Sequence, residues 1–209
     1  MFLRARGFIM SVAPESSAQL REKVRGAYSL AAEGPDRKHA FPVGRAFAES
    51  LGYPASLLAS LPATATDAFT GVSNVSLFAE IPGGATVLDL GCGAGTDALI
   101  AARRVGPTGR VIGVDFSAAM LSRARHAVAE SGLTRIELRE ADAESLPVKE
   151  GEIDVALVNG IFNLNPARDA IFRGLARVVR RGGTVYAAEL ILSGPLPPGA
   201  RASEADWFA

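Results

Sequence analysis

A chain of 209 residues is long enough to bury one hydrophobic core without disulfide or metal staples. Apolar residues make up 48% of it and charged residues 21%, the balance of an ordinary globular protein rather than a disordered or fibrous one. Lys plus Arg number 22 and so do Asp plus Glu, so no net field draws the chain to nucleic acid or to an anionic membrane. The single cysteine, Cys92, excludes an intramolecular disulfide and a cysteine-based zinc site, and it suits a reducing cytoplasm. No apolar run approaches the roughly 18 residues that span a bilayer.

In chain order, residues 1–15 read as a tail. Arg4, Arg6 and Gly7 interrupt the apolar stretch of Met1 to Met10, and no small-residue cleavage site follows. Met10 is a second candidate start. Residues 16–82 have helical patterning and no convincing strand. Leu20, Val24, Ala27 and Tyr28 recur at helix spacing after Ser16 or Ser17 as N-cap. Pro35, Pro42, Pro54 and Pro62 then punctuate short helical pieces such as Val43 to Leu51 and Ser56 to Leu61. These pieces are too short to bury their own apolar faces, so they predict a helical cap on the remainder.

From residue 83 the pattern changes to strands alternating with helices. Strands are predicted at Ala85 to Leu90, Arg110 to Asp115, Arg135 to Glu140, Ile153 to Asn159 and Thr184 to Leu192. Helices are predicted at Thr96 to Val105, from the cap Ser117 to about Glu130, and at Ala167 to Arg180. Strand–helix alternation with right-handed crossovers implies an α/β fold, a Rossmann-like, doubly wound, mostly parallel sheet over residues 83–209.

The chemistry concentrates at Asp89-Leu90-Gly91-Cys92-Gly93-Ala94-Gly95, a glycine turn between the first strand and a helix. Glycine permits positive φ and close ligand approach, and the amides at a helix start favour an electron-rich group. Asp115 closes the second strand 24 positions after Gly91, the spacing at which a carboxylate accepts ribose hydroxyls. Phe116 and Met120 follow it as candidate neighbours of the same ligand. A nicotinamide or flavin dinucleotide is the competing ligand. Against it, Thr96 stands where the dinucleotide fingerprint wants a third packing glycine, and the Asp89 charge would oppose a pyrophosphate. Near an ammonium group the same carboxylate is favourable.

The run Val87 to Gly95 resembles the first motif of class I S-adenosylmethionine-dependent methyltransferases, and Gly113-Val114-Asp115 resembles the second. Ala141 to Pro147 resembles the third. The resemblance implies S-adenosylmethionine as cofactor, with Asp89, Gly91, Cys92, Gly93, Gly95 and Asp115 around it. It also implies that Asp142 and Ala143 face the adenine and that Asn159 borders the methionine and the methyl donor. Asp142 reads equally well as part of a solvated acidic loop.

Phe41-Pro42-Val43-Gly44, Ala102 to Asp115, Asn163-Leu164-Asn165-Pro166 and Gly194-Pro195-Leu196-Pro197 further resemble arsenite methyltransferases and their relatives. Those enzymes hold trivalent arsenic with cysteine thiolates, a pairing of soft ligand with soft centre. The corresponding positions here carry Gly71-Val72-Ser73-Asn74 and Gly160. Arsenite is therefore not the expected acceptor. A small molecule bound between cap and strand ends, near Asn159 and Asn163, is expected, with no metal, and Tyr28 is a candidate to close over the site. In-line transfer needs proximity and dehydration more than a base, and the sequence offers no obvious one. His39 in the cap is the remaining candidate; His126 reads as a surface residue.

The same resemblance implies a C-terminally shortened fold, because the chain stops at Trp207-Phe208-Ala209 soon after the fifth strand. An uncovered sheet edge would follow, closed by a homodimer through that edge or the C-terminus, or by the cap. The alternative reading is a non-catalytic relative that binds the cofactor or only a partner.

Overall fold

The structure is a computed structural model that describes residues 17–191. The expected tail and start sites, Ser16, and the terminal Trp207 and Phe208 lie outside them. The described residues begin with α1 (Ser17–Glu33), followed by α2 (Arg45–Ser50), α3 (Ala55–Ala59), α4 (Ala63–Thr66) and α5 (Val75–Phe78). The alternating part then runs β1 (Thr86–Leu90), α6 (Thr96–Val105), β2 (Arg110–Asp115), α7 (Ala118–Ser131), β3 (Ile136–Glu140), β4 (Ile153–Asn159), α8 (Arg168–Val178) and β5 (Val179–Ala188). A short 3₁₀ turn at Phe162–Leu164 joins β4 to α8.

The strands form one sheet ordered β3-β2-β1-β4-β5, with every adjacent pair parallel. This is the doubly wound α/β arrangement that the strand–helix alternation implies. Alternate residues of the central strands face opposite layers. Val87, Val111, Val155 and Leu157 pack against Ala98, Ala101 and Val105 of α6. Leu88, Leu90, Ile112, Ala156 and Val158 pack against Ile171, Leu175 and Val178 of α8. Each large aliphatic side chain so buried contributes about 2 kcal/mol.

The N-terminal helices pack on this framework rather than forming a core of their own. Ala48, Tyr53, Leu58 and Phe69 share a cluster with Leu99 and Ile100 of α6 and Ala127 of α7. Ala31, Ala32 and Phe41 pack on Ala94 and Met120. Helix α1 is thereby laid across the ends of β1 and β2.

The last strand departs from expectation. It begins at Val179 rather than Thr184 and ends at Ala188 rather than Leu192, which lies outside the described residues. Arg180-Arg181-Gly182-Gly183 reads as a turn, but it is taken into the strand as an irregularity. Ile153 pairs with Val179, whereas Val155 pairs with Thr184. Gly182 has φ +78°, as such a bulge requires. Among the described residues, β5 has a partner on one edge only. No helix among them is long and apolar enough to cross a membrane.

The start of α7 fixes the end of β2. Ser117 Oγ accepts the Met120 amide at 3.3 Å while the Ser117 amide donates to Asp115 Oδ1 at 2.8 Å. Ser117→Ala is expected to lower stability by about 1 kcal/mol, read from urea unfolding. A loss under about 0.3 kcal/mol would mean the cap contributes nothing.

Candidate functional site

The C-terminal ends of β1, β2 and β4 open into one cleft, roofed by α1. Its empty volume is about 980 Å³ including the mouth, ample for a nucleoside-sized ligand. The order β3-β2-β1-β4-β5 reverses direction between β1 and β4, and open α/β sheets bind ligands at such a switch point.

The floor is the glycine turn. Gly91 has φ +73°, and a Cβ there would collide with the Ile161 side chain, so any other residue would be strained and would displace the cleft wall. Gly95, at φ +93°, serves as N-cap of α6. The Gly91 and Cys92 amides donate to the Val114 carbonyl at 2.7 and 3.0 Å, which ties the turn to β2.

Two acids flank this turn. Asp89 is 2% exposed, and its Oδ2 is buried with no hydrogen-bond partner in the protein. Burial, then repulsion from Asp97 and Asp115, holds its carboxyl well above the ordinary carboxylate range; the Ala98 amide opposes this. Asp115 is 7% exposed and accepts the Gly93 amide on Oδ2 at 2.9 Å and the Ser117 amide on Oδ1. Burial raises its pKa to about 6 despite those amides.

Of the residues singled out in the sequence, Asp89, Gly91, Cys92, Gly93, Asp115, Phe116, Asp142, Ala143, Asn159 and Tyr28 all line this cleft. Asp142 and Ala143 lie beyond the end of β3, and Asp142 pairs with Arg25 of α1 at 3.5 Å. The Arg25 guanidinium also sits 5.4 Å over the Phe116 ring. Tyr28 stacks on Phe41 at 4.8 Å, and burial, with Asp115 and Glu189 nearby, raises its hydroxyl pKa. The Cys92 thiol is likewise raised by burial, which suits a turn residue rather than a nucleophile.

Three expected residues lie elsewhere. Gly95 sits behind the turn, where an added Cβ would meet Ala124 at 3.4 Å. Met120 is fully buried in the cluster with Ala94 and Phe41. Asn163 gives its amide to the Leu190 carbonyl, away from the cleft wall. His126 is exposed, as expected, and neither it nor His39, whose ring meets the Gly34 carbonyl, lines the cleft.

The residues that sequence reasoning missed are chiefly Asp97, Phe69 and Thr70. Asp97 looks like an ordinary acid in the first turn of a helix, a preference any helix has. Its 6% exposure became apparent only once the cap was packed over it. Segment 70–74 also closes on β4: a Cβ on Gly160 would lie 2.9 Å from Val72 Cγ1. The two places where the arsenite enzymes' thiols would correspond are thus adjacent in space.

The charge at the turn has a pH signature. Asp115, with a pKa of about 6 folded and about 4 unfolded, binds more protons in the native state between those values. Its contribution to the ligand-free fold is full below pH about 4 and is lost as pH rises through about 6, by up to about 3 kcal/mol. A ligand that donates hydroxyls to the carboxylate has the opposite dependence: its affinity falls as pH drops through about 6, toward tenfold per unit. Between pH 8 and pH 5.5, thermal unfolding is expected to show a shrinking ligand-induced rise in Tm. A ligand effect that grew on acidification would contradict the assignment.

Similarity to known proteins agrees with this geometry. A profile described as a methyltransferase domain matches residues 81–207. An arsenite methyltransferase of Halobacterium salinarum is 40% identical over 149 residues, covering 71% of this chain and 38% of that protein. A demethylmenaquinone methyltransferase of Lactococcus lactis is 34% identical over 106 residues, 51% of this chain and 42% of that one. The chain thus spans about two fifths of the length of these curated relatives. An arsenic(III) S-adenosylmethionine methyltransferase of Chlamydomonas reinhardtii, solved by crystallography, superposes with a TM-score of 0.66 at 26% identity, covering 76% of this chain and 58% of that one. The switch-point cleft, the glycine turn between paired acids and the match over residues 81–207 lead to one conclusion: the chain belongs to the methyltransferase-domain family of class I S-adenosylmethionine-dependent enzymes, near its arsenite methyltransferase branch.

Proposed function

We propose that this chain binds S-adenosylmethionine in the cleft and transfers its methyl group to a small organic acceptor. The observation that carries the reading is the partnerless Asp89 oxygen, buried at the glycine turn beside a second acid in the same cleft. A buried carboxylate oxygen without a donor costs stability unless a ligand completes it. The ammonium of the methionine moiety is the cofactor group that suits it.

Asp115 would then accept the ribose hydroxyls, while Phe116, Asp142 and Ala143 border the adenine. When bound, S-adenosylmethionine supplies an electrophilic methyl on a sulfonium centre. That end would lie between Phe69-Thr70-Gly71 of the cap and Asn159-Gly160-Ile161 at the end of β4, which face each other across the cleft. Walls of this kind exclude water and fix the approach of a nucleophile, which can supply much of the acceleration. Of the titratable groups that line the cleft, Asp89, Asp115 and Asp142 are assigned to the cofactor, Asp97 is engaged by Tyr53, Ser76 and Asn159, and burial keeps the Tyr28 hydroxyl protonated, so an acceptor that arrives already nucleophilic fits best. With Val72 against Gly160 and no thiol between them, arsenite does not suit this end of the site.

Methyl-labelled S-adenosylmethionine, offered with phenols, quinols, amines and arsenite in turn, tests the proposal. Label is expected in an organic acceptor and not in arsenite. Transfer to arsenite would overturn the substrate class. Cofactor binding with no transfer to any acceptor would favour the non-catalytic binding reading.

A further inference from the structure

Asn159 stands at the cleft, but its side chain is fully engaged by the protein. A primary amide has two N–H donors and one oxygen with two lone pairs. Asn159 Nδ2 donates to the Ser73 carbonyl at 2.7 Å and to Asp97 Oδ2 at 3.0 Å. Its Oδ1 accepts the Val72 amide at 2.9 Å and the Ser73 amide at 3.0 Å. All four positions are used, which leaves none for a ligand. The orientation is also fixed, because a flipped amide would set Nδ2 against two N–H donors and Oδ1 against a carboxylate.

Asp97 is the anchor of this arrangement. On its other side, Oδ1 accepts the Tyr53 hydroxyl at 2.5 Å and the Ser76 hydroxyl. One buried carboxylate therefore joins α6, the cap at Tyr53, α5 and the end of β4. Gly71 completes the fit: a Cβ there would lie 2.5 Å from Asn159 Nδ2 and 2.8 Å from Phe69 Cζ. Thr70 and Gly71 are themselves part of the cleft wall.

We propose that Asp97 and Asn159 form a clamp that holds segment 70–73 as one wall of the cleft, with both acting as positioning residues rather than ligand contacts. The inference rests on the reading of the cleft as the cofactor site only for its effect on affinity. Its effect on the segment itself is independent of any ligand.

The test is substitution of each side chain in turn, with S-adenosylhomocysteine as probe and amide hydrogen exchange as the ligand-free readout. Asp97→Asn sets two amide NH₂ groups against each other, and Asn159→Asp sets two carboxylates together. Each variant is expected to speed exchange at Val72 and Ser73 by about tenfold and to weaken S-adenosylhomocysteine by about tenfold. Exchange within α6 and the middle of β4 is expected to stay unchanged, which a general loss of stability would not give. Should a single variant fail to fold, Gly71→Ala displaces Asn159 from the opposite side and is expected to speed the same two amides.

Single variants that leave exchange at Val72 and Ser73 at the wild-type rate would overturn the clamp. If wild type does not bind S-adenosylhomocysteine while the exchange pattern holds, the cofactor reading fails and the clamp stands.

Discussion

Asp115→Ala is expected to weaken S-adenosylhomocysteine by roughly 100-fold, about 3 kcal/mol, the value of two hydrogen bonds to a charged acceptor. The carboxylate is 7% exposed, and each oxygen is already oriented by one backbone amide, Gly93 on one side and Ser117 on the other. Those amides leave a lone pair on each oxygen, and the residue lines the cleft. Asp115→Asn keeps the shape but removes the charge and turns one acceptor into a donor, so roughly tenfold is expected for it. Calorimetric titration of the folded variants is the measurement. An alanine variant that binds as tightly as wild type would show that the ligand does not meet Asp115.

The second large effect comes from Asp89 and has two parts of opposite sign. Asp89→Asn is expected to stabilise the ligand-free protein by about 1–2 kcal/mol, since it removes a buried carboxyl that has one partnerless oxygen and whose ionisation burial, Asp97 and Asp115 all oppose. A neutral amide at that position would also donate toward the neighbouring carboxylates. The same substitution is expected to weaken S-adenosylhomocysteine by roughly 100-fold, because the ammonium loses its counter-charge. 5′-Methylthioadenosine, which lacks the amino-acid end, should bind wild type and variant alike. Thermal melts and titrations separate the two parts. A lowered Tm together with unchanged affinity would assign Asp89 to the fold rather than to a ligand.

Much of this architecture was legible in the sequence because period and punctuation agree there. Val87-Leu88 between Thr86 and Asp89, and Val111-Ile112 before Gly113, are short apolar runs ended by turn chemistry, and they became buried central strands. The glycine turn and Asp115 could be placed because their roles depend on local backbone geometry and fixed spacing. The start of β5 was not legible, since Arg180 to Gly183 has the composition of a turn and stays in the strand only through its partner β4. For Met120 the sequence distance from Asp115 suits a ligand contact, but packing against Ala94 and Phe41 buries its side chain in the core.

The clamp was beyond reach for a different reason. Asp97, Tyr53, Ser76 and Asn159 are separated by as many as 106 positions in the chain, and none belongs to a motif. Only the packing of the cap on α6 brings them together. Asn159 lines the cleft, but the saturation of its amide depends on segment 71–73, whose path the sequence does not announce.

The central claim, that the cleft at the ends of β1, β2 and β4 takes S-adenosylmethionine, is tested most directly by calorimetry of the unmodified chain at pH 7.5. The expected result is one-to-one binding of both S-adenosylmethionine and S-adenosylhomocysteine, with affinity falling as the pH is lowered through about 6. A folded protein that binds neither compound would contradict the claim.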